Sequence, residues 1–316
     1  MQEQANRQVV NQAPQNTGLR RFLSWLDDEH RIGPLMTAPA VIVILMLMAY
    51  PFALSLWLSL TDTVIAQEAT GNFIGLQNFA TLLERSIFVN KVIPNSILYT
   101  FGSVIPKLGL GLILALVLNR PWPFRNLIRG SILLPWIVPT SLSMMAWWWM
   151  FEPTRSVLNY LLEGINFPGA PFPWRSRPDL ALIAVMIINV WRGVPFFAVT
   201  LLAALQVVPE DLHEAAQIDG ANRWQAFWNV DIPWIQPVIV VTTLFSLIQT
   251  FADLQIIWIL TLGGPFNSTH VLATYSFQQA IKSAQIGEGA AISLFLFPAL
   301  LVVIFLQLRY LQKREI

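Results

Sequence analysis

Residues 214–220 read Glu-Ala-Ala-Gln-Ile-Asp-Gly, a polar stretch between two long apolar segments of a very hydrophobic chain. Pro209 can begin a helix here, because the first helical position needs no backbone N–H, and two acidic residues follow it in the first turn. The two alanines keep one helical face small enough for close docking, and Glu214 offers a carboxylate to a basic group. Gly220 supplies the positive φ that ends a helix. A soluble partner could therefore push on this stretch.

A second short helix is predicted directly after that stretch. Trp224, Phe227 and Trp228 recur at helical spacing and would anchor it at the membrane interface or in a partner's groove. We expect Pro233 to end it, since proline interrupts a helix. On periodicity alone, an ordinary cytoplasmic helix-turn-helix without any partner explains the pattern equally well.

The spacing within residues 214–233 resembles the cytoplasmic coupling loop of permease subunits in binding-protein-dependent ABC importers. The shared order is Glu-Ala-Ala, three residues, Gly, nine residues and then apolar-x-apolar-Pro, with Val230 and Ile232 where the pattern usually has Ile and Leu. The resemblance implies an all-α integral membrane protein of the type I ABC importer permease fold, with six transmembrane helices and a cytoplasmic coupling helix. It assigns ATPase coupling to Glu214, Ala215, Ala216, Asp219 and Gly220.

The composition of the 316-residue chain excludes several classes of protein. Hydrophobic residues make up 55% of it and charged residues only 12%, whereas soluble domains are roughly 25% charged. Such a chain belongs in a lipid bilayer. Its net charge of +1 gives no case for nucleic-acid binding, and its three histidines lie far apart in unlike contexts, which argues against a metal site. No lysine follows Gly and precedes Ser or Thr, so the sequence carries no P-loop for ATP.

Six apolar segments are long enough to cross a membrane, which takes roughly 20 residues for a hydrocarbon core about 30 Å thick. They are residues 35–60, 96–118, 131–151, 180–204, 237–262 and 289–309. We predict a cytoplasmic tail, residues 1–33, followed by a permease domain, residues 34–316. Within the tail, residues 19–26 have the pattern of an amphipathic interfacial helix.

The distribution of Lys and Arg predicts the orientation of these segments. Eleven basic residues fall on the side of the N-terminus and six on the other side, and cytoplasmic loops carry the excess. We therefore expect both termini, and the coupling loop at residues 205–236, to face the cytoplasm.

Three charged residues interrupt the apolar segments: Lys107, Arg192 and Asp253. Charged groups inside lipid usually face a bundle interior or a watery cavity. In the fifth segment four polar residues share one helical face, Ser246, Gln249, Thr250 and Asp253. A sugar needs such groups together with an aromatic surface, for which Phe251, Trp191, Phe196 and Phe197 are candidates. Two structural alternatives stay open, namely an ion pair of Asp253 with Arg192 or Lys107 and polar contacts that merely join helices.

Two further stretches resemble the maltose-type sugar permeases. Residues 260–265, Leu-Thr-Leu-Gly-Gly-Pro, resemble the turn after their fifth helix, and residues 191–196, Trp-Arg-Gly-Val-Pro-Phe, resemble a stretch of the preceding helix. The resemblance implies that substrate contacts fall on Arg192, Gly193, Phe196, Ser246, Gln249, Thr250 and Asp253. Arg192 and Asp253 are charged where that pattern is neutral, which leaves the identity of the sugar open.

Together the resemblances imply the permease subunit of an ATP-driven carbohydrate importer in the bacterial inner membrane. The chain would have no catalytic residue, metal or cofactor of its own, since ATP would be bound and hydrolysed by partner subunits. The partners implied are two ATP-binding subunits, a second homologous permease and an extracytoplasmic sugar-binding protein. An ion-coupled secondary transporter, with Asp253 and Lys107 as its titrating groups, is the alternative.

Overall fold

A computed structural model describes residues 29–65, 67, 70–152 and 156–312. That part of the chain is helical and contains no strand, only an isolated antiparallel bridge between Thr61 and Phe73. The α-helices, numbered in chain order, are α1 Glu29–Ile44, α2 Tyr50–Ser59, α3 Gln77–Glu84, α4 Ile93–Leu118, α5 Arg125–Ile132, α6 Leu134–Ile137, α7 Thr140–Met150, α8 Val157–Gly164, α9 Pro178–Leu205, α10 Glu210–Ile218, α11 Arg223–Ala226, α12 Ile232–Phe251, α13 Gln255–Thr261, α14 Leu272–Phe277, α15 Ile286–Leu294 and α16 Leu296–Gln312. Single π-helical turns lie at Leu45–Ala49, Phe88–Val92, Phe227–Asp231 and Gln278–Lys282.

The predicted all-α membrane fold is confirmed. Within the described ranges, the helices long and apolar enough to span a bilayer are Met36–Ser59, Phe88–Leu118, Pro178–Leu205, Arg223–Phe251 and Ile286–Phe305. The pair Arg125–Ile137 and Thr140–Met150 adds a sixth span if it is counted as one, although its halves are bent by 88°. The bend falls at Pro139, because proline forces the residue before it into an extended conformation.

The chain divides into two compact units, Met1–Ser55 and Leu56–Ile316. The first contains α1 and the beginning of α2. The second contains all the remaining helices and both regions singled out in the sequence. The interfacial helix expected at residues 19–26 lies outside the described residues, so it stays a prediction.

The expectation that Pro233 ends a short helix is wrong. The π turn at Phe227–Asp231 leads directly into α12, so that one continuous helix runs over Arg223–Phe251. Pro233 lies in the first turn of α12, directly after the widened π turn, where its missing N–H costs little.

The fifth apolar segment also has different bounds from the predicted 237–262. Its span begins at Arg223 and ends at Phe251, and α13 is a separate helix after a break at residues 252–254. Asp253 therefore lies in the break and not on the helical face that carries Ser246 and Thr250. The apolar composition continues across the break, which is why hydropathy alone did not locate it.

The close pairing of α4 and α9 forms the centre of the second unit. A Cβ atom at Gly111 would lie 2.3 Å from Cβ of Phe197, so the two helices approach through a position that only glycine can occupy. Two apolar clusters form much of the core of this unit. One includes Tyr99, Ile188 and Ile257, and the other includes Phe197, Leu201 and Ile235.

The Gly-Gly-Pro turn packs against the beginning of α4. Asn95 Nδ2 donates to the carbonyl oxygens of Ser268 and His270 at 2.8 and 3.2 Å, and Lys91 Nζ donates to that of Phe266 at 2.8 Å. Within the turn, the hydroxyls of Thr261 and Thr269 lie 2.7 Å apart. These contacts fix the turn next to the span whose middle carries Lys107.

Candidate functional site

A cavity of about 660 Å³ lies between α4, α9 and α12 and continues into the break after α12. This volume falls within the range of about 300–1,000 Å³ that is typical of small-molecule sites. All seven residues predicted to contact substrate line it: Arg192, Gly193, Phe196, Ser246, Gln249, Thr250 and Asp253. The structure thus brings together residues that two separate sequence patterns had suggested. Their role in binding stays a prediction.

Lys107 reaches this cavity from α4 by crossing the backbone of α9 at Gly193. A Cβ at Gly193 would lie only 2.6 Å from Cδ and Cε of Lys107, so glycine leaves the space that the lysine stem occupies. The lysine Nζ donates to Thr250 Oγ1 at 2.8 Å, and Lys107 is only 4% exposed. One ammonium group thus joins α4 to the cavity-facing side of α12.

Asp253 is held by neutral groups. The Tyr99 hydroxyl donates to its Oδ2 at 2.7 Å and Asn189 Nδ2 donates to the same oxygen at 3.0 Å. The backbone N–H of Ile256 donates to Oδ1 at 3.3 Å, at the beginning of α13. Within the described chain no ion pair under 4.0 Å joins Asp253 to Arg192 or Lys107, so the ion-pair alternative from the sequence is not what the structure contains.

Arg192 lies midway along α9 and lines the cavity without a carboxylate partner among the described residues. Its Nε is buried and has no hydrogen-bond partner in that part of the chain. Unpaired buried donors are rare, because the lost hydration is not recovered.

No group of three or more His, Asp or Glu residues in the described ranges could hold a metal ion.

One wall of the cavity is aromatic. Trp136 and Phe196 stack with centroids 6.0 Å apart at 25°, and Phe245 packs against Phe196 at 5.2 Å. Of the four aromatic residues expected to form such a surface, only Phe196 does so. Trp191 lines a separate apolar groove, Phe197 is buried against Gly111 and Phe251 packs with the cluster around Leu82 and Tyr275. Phe196 and Phe197 point about 100° apart on α9, and only Phe196 falls on the side that faces the cavity.

The sequence patterns missed several residues at the cavity. Asn189 could have been found, because it lies three and seven positions before Arg192 and Phe196 on the same helical face. Phe245 and Trp136 carry no such signal, since large aromatic residues are frequent throughout the spans. Tyr99 is fully buried beside an apolar cluster, and nothing in its sequence context distinguishes it from core.

The second predicted region, the coupling stretch, has the local structure expected of it. Helix α10, Glu210–Ile218, follows Pro209, and Gly220 has φ of +79°. A capping box between Asn222 and Gln225 then begins α11. Glu214, Ala215, Asp219 and Gly220 are exposed, Ala216 is partly buried and Ile218 is 87% exposed. These residues are therefore accessible on the surface of this chain, and their role in ATPase coupling stays a prediction.

A polar contact connects α10 to the long helix that reaches the cavity. His213 Nε2 lies 3.2 Å from Asp231 Oδ1, at the end of the π turn that leads into α12. Trp224 and Trp228 pack edge to face with centroids 5.7 Å apart on the same segment. The exposed helix α10 is thus attached to the span whose far end carries Ser246, Gln249 and Thr250.

Comparison with known sequences gives consistent matches. The model of a family described as the inner membrane component of binding-protein-dependent transport systems matches residues 107–316, more than half of the chain. The chain is 30% identical to the sulfoquinovosyl glycerol transport system permease protein SmoG of Agrobacterium fabrum, over 94% of this chain and 96% of that protein. It is 33% identical to the trehalose/maltose transport system permease protein MalF of Thermococcus litoralis, over 85% and 90%. It is 34% identical to the trehalose transport system permease protein SugA of Mycobacterium tuberculosis, over 88% of each.

Solved structures support the fold. A chain of a bacterial ABC transporter involved in the import of the acidic polysaccharide alginate matches with a TM-score of 0.77 at 21% identity, over 93% of this chain and 99% of that one. A second structure, of the alginate transporter in complex with an alginate pentasaccharide-bound periplasmic protein, matches with a TM-score of 0.75 over 89% and 95%.

Proposed function

This chain belongs to the inner membrane components of binding-protein-dependent transport systems, and from that premise we propose that it is the permease subunit of an ATP-driven importer for a carbohydrate. It is a multi-pass protein of the bacterial inner membrane, and its family transports rather than transforms its cargo. Its similarity to permeases of trehalose, maltose and sulfoquinovosyl glycerol systems supports the class of cargo.

The observation that carries the proposal is the make-up of the cavity. Its lining combines hydroxyl and amide groups, from Ser246, Thr250, Gln249 and Asn189, with the stacked aromatic rings of Trp136 and Phe196. A sugar has both kinds of surface, since its hydroxyls need hydrogen-bond partners and its C–H faces pack on aromatic rings. Within apolar membrane spans, polar side chains gain nothing from contact with lipid, so their presence indicates a polar ligand or water.

The same proposal covers the partner subunits, the orientation in the membrane and the coupling to ATP. Two ATP-binding subunits bind and hydrolyse ATP, and this chain needs no cofactor of its own. A second homologous permease completes the transmembrane pathway, and an extracytoplasmic binding protein delivers the sugar. Both termini and residues 205–236 face the cytoplasm, where α10 docks on an ATPase through Glu214, Ala215, Ala216, Asp219 and Gly220. ATP-driven closure of the ATPases moves α10 and switches the cavity between the two sides of the membrane.

The test is purification of the tagged chain from its native membrane in mild detergent, followed by reconstitution in vesicles. We expect a P-loop ATPase and a second permease to co-purify, and labelled sugar to accumulate only when ATP and the binding protein are supplied. Uptake that proceeds without ATP and is abolished by an ionophore would replace this proposal with the ion-coupled alternative.

A further inference from the structure

The charges that line the cavity do not balance. Three of its side chains are ionisable, the cations Lys107 and Arg192 and the anion Asp253. No ion pair under 4.0 Å joins either cation to the carboxylate in the part of the chain that the structure describes. With two cations and one anion, the lining carries an excess of one positive charge. The cavity lies among membrane-spanning helices, where an uncompensated charge costs free energy.

The carboxylate is already committed to other donors. Asp253 accepts hydrogen bonds from Tyr99, Asn189 and the backbone of Ile256. Tyr99 is fully buried and Asn189 is 6% exposed, so this arrangement is part of the packed core between α4 and α9. A ligand that competed for the carboxylate would have to break buried hydrogen bonds, which is costly.

The cations differ from the carboxylate in this respect. Lys107 has one hydrogen bond, to Thr250, and an ammonium group can make three. Arg192 has a buried Nε without a partner, although a guanidinium is built for planar, two-pronged recognition of acidic groups. Both cations line the same cavity, whose remaining lining is neutral.

We infer that the cavity selects a carbohydrate bearing one negatively charged group, a carboxylate, sulfonate or phosphate, which binds between Arg192 and Lys107. The sugar body lies against Trp136 and Phe196, and its acidic group neutralises the excess charge of the lining. Asp253 acts as a positioning residue that holds Tyr99 and Asn189 in place and limits the excess to one charge. This inference rests on the proposed function, because it assumes that the cavity holds sugar.

A cysteine placed in the cavity measures its occupancy directly. The chain has no native cysteine, and Ala252 lines the cavity with an exposed side chain that is not among the proposed contacts. In the transporter purified with its partner subunits, ligands that enter the cavity slow the labelling of Ala252→Cys by a neutral maleimide. The probes are two matched pairs of sugars, glucose with glucuronate and trehalose with trehalose 6-phosphate. The extent of labelling is measured by mass spectrometry on the mass of this chain, so that labelling of partner subunits does not interfere.

We expect the acidic member of at least one pair to protect Cys at concentrations about tenfold or more below its neutral counterpart, with a gap that narrows at high salt. In Arg192→Gln the acidic and the neutral sugar should protect at similar concentrations. Arg192→Lys, which keeps the charge, should retain most of the preference. Asp253→Asn removes the opposing charge and should increase the ratio between the protective concentrations of the neutral and the acidic sugar.

The outcomes separate this inference from the proposal beneath it. If neutral sugars protect as well as acidic ones, or Arg192→Gln weakens both equally, the selection of anions is refuted while a carbohydrate permease remains. If no sugar of either kind protects and the reconstituted transporter takes up cargo of another class, the proposed function and this inference fail together.

Discussion

At the scale of single residues, the cavity depends on a glycine that leaves space for a charged side chain. At Gly193 the atoms that a methyl group would meet are the far end of the Lys107 side chain, which can move. At Gly111 they are Cβ and backbone atoms of the facing helix, which cannot. Two glycines on the same helix pair therefore have different tasks: Gly193 leaves space for the Lys107 side chain, and Gly111 allows the two helices to approach closely.

The first prediction concerns Gly193→Ala. We expect uptake to fall about tenfold, because Lys107 is displaced from the position at which it is proposed to meet cargo. The loss of stability should be limited to that of the broken Lys107–Thr250 hydrogen bond, about 1.5–3 kcal/mol. Uptake by reconstituted vesicles and the melting temperature in detergent measure the two effects.

Two other glycines are the controls for this variant. Gly111→Ala should lose about 1–3 kcal/mol of stability through overpacking, and Gly109→Ala, with nothing within 4 Å, should change neither property. A Gly193→Ala protein that melts early and transports normally would mean that the glycine serves packing alone.

The second prediction concerns pH and His270. This imidazole is 2% exposed at the Gly-Gly-Pro turn, where burial lowers its pKa to about 4. The unfolded chain has the ordinary pKa of 6.5 and so binds the proton more readily than the folded protein. The contribution of neutral His270 to stability is therefore complete above about pH 6.5 and is lost as the pH falls toward 4, up to about 3 kcal/mol.

Melting temperatures of the purified chain between pH 4.5 and 7.5 measure this loss. His270→Gln cannot take up the proton and should flatten the acid side of the curve relative to the unaltered protein. Identical acid slopes for the unaltered protein and His270→Gln would contradict the assignment.

At the scale of elements, the exposed helix α10 carries the third prediction. We expect Glu214→Lys to reduce uptake about tenfold or more while membrane insertion stays normal, because a reversed charge in a docking surface costs several-fold in affinity at the least. ATP hydrolysis should continue without transport. Glu163→Lys, the same charge change on the exposed end of α8, is the matched control and should transport normally. Normal uptake by Glu214→Lys would argue against docking through α10.

The bounds of a helix could be predicted from the sequence where the residues at its ends determine them. Pro209 and Gly220 bound α10 as expected, because a helix start and a positive φ are properties of the residues themselves. Pro233 was misjudged, since a π turn before it leads directly into α12 and places the proline in the first turn of a helix that continues. The end of the fifth span at Phe251 was missed for the related reason that residues on both sides of the break are equally apolar.

The cavity illustrates the same division. The polar residues on α9 and α12 could be found, because polar groups in apolar spans are conspicuous and follow helical spacing. That Trp136 and Phe245 face them could not be found, since it depends on how other helices are placed and rotated about their axes in the folded chain. The partners of Asp253 come from two other helices and have no signal in its own neighbourhood.

At the scale of the whole molecule, the orientation in the membrane is the fourth prediction. The chain contains no cysteine, so single introduced cysteines report without background. We expect Ser176→Cys, in the exposed loop before α9, to react with an impermeant maleimide in spheroplasts. Gln217→Cys, exposed on α10, should react only after the membrane is opened, because basic residues keep that loop inside. The reverse pattern of labelling would invert the assignment of the two faces.

The continuity of the helix over Arg223–Phe251 joins the cavity to the exposed helix α10, which contacts Asp231 through His213. Its α12 portion, Ile232–Phe251, is 20 residues long and therefore about 30 Å from end to end. In the proposed function, this helix would move as a rigid lever when the ATPases close. A tilt of about 10° about its middle carries each end through roughly 2.5 Å, enough to part Thr250 from Lys107 at one end when His213 pulls on Asp231 at the other. Such coupling is reciprocal. If binding of the ATPase at one end changes the affinity of the cavity for cargo by some factor, cargo must change the affinity for the ATPase by the same factor.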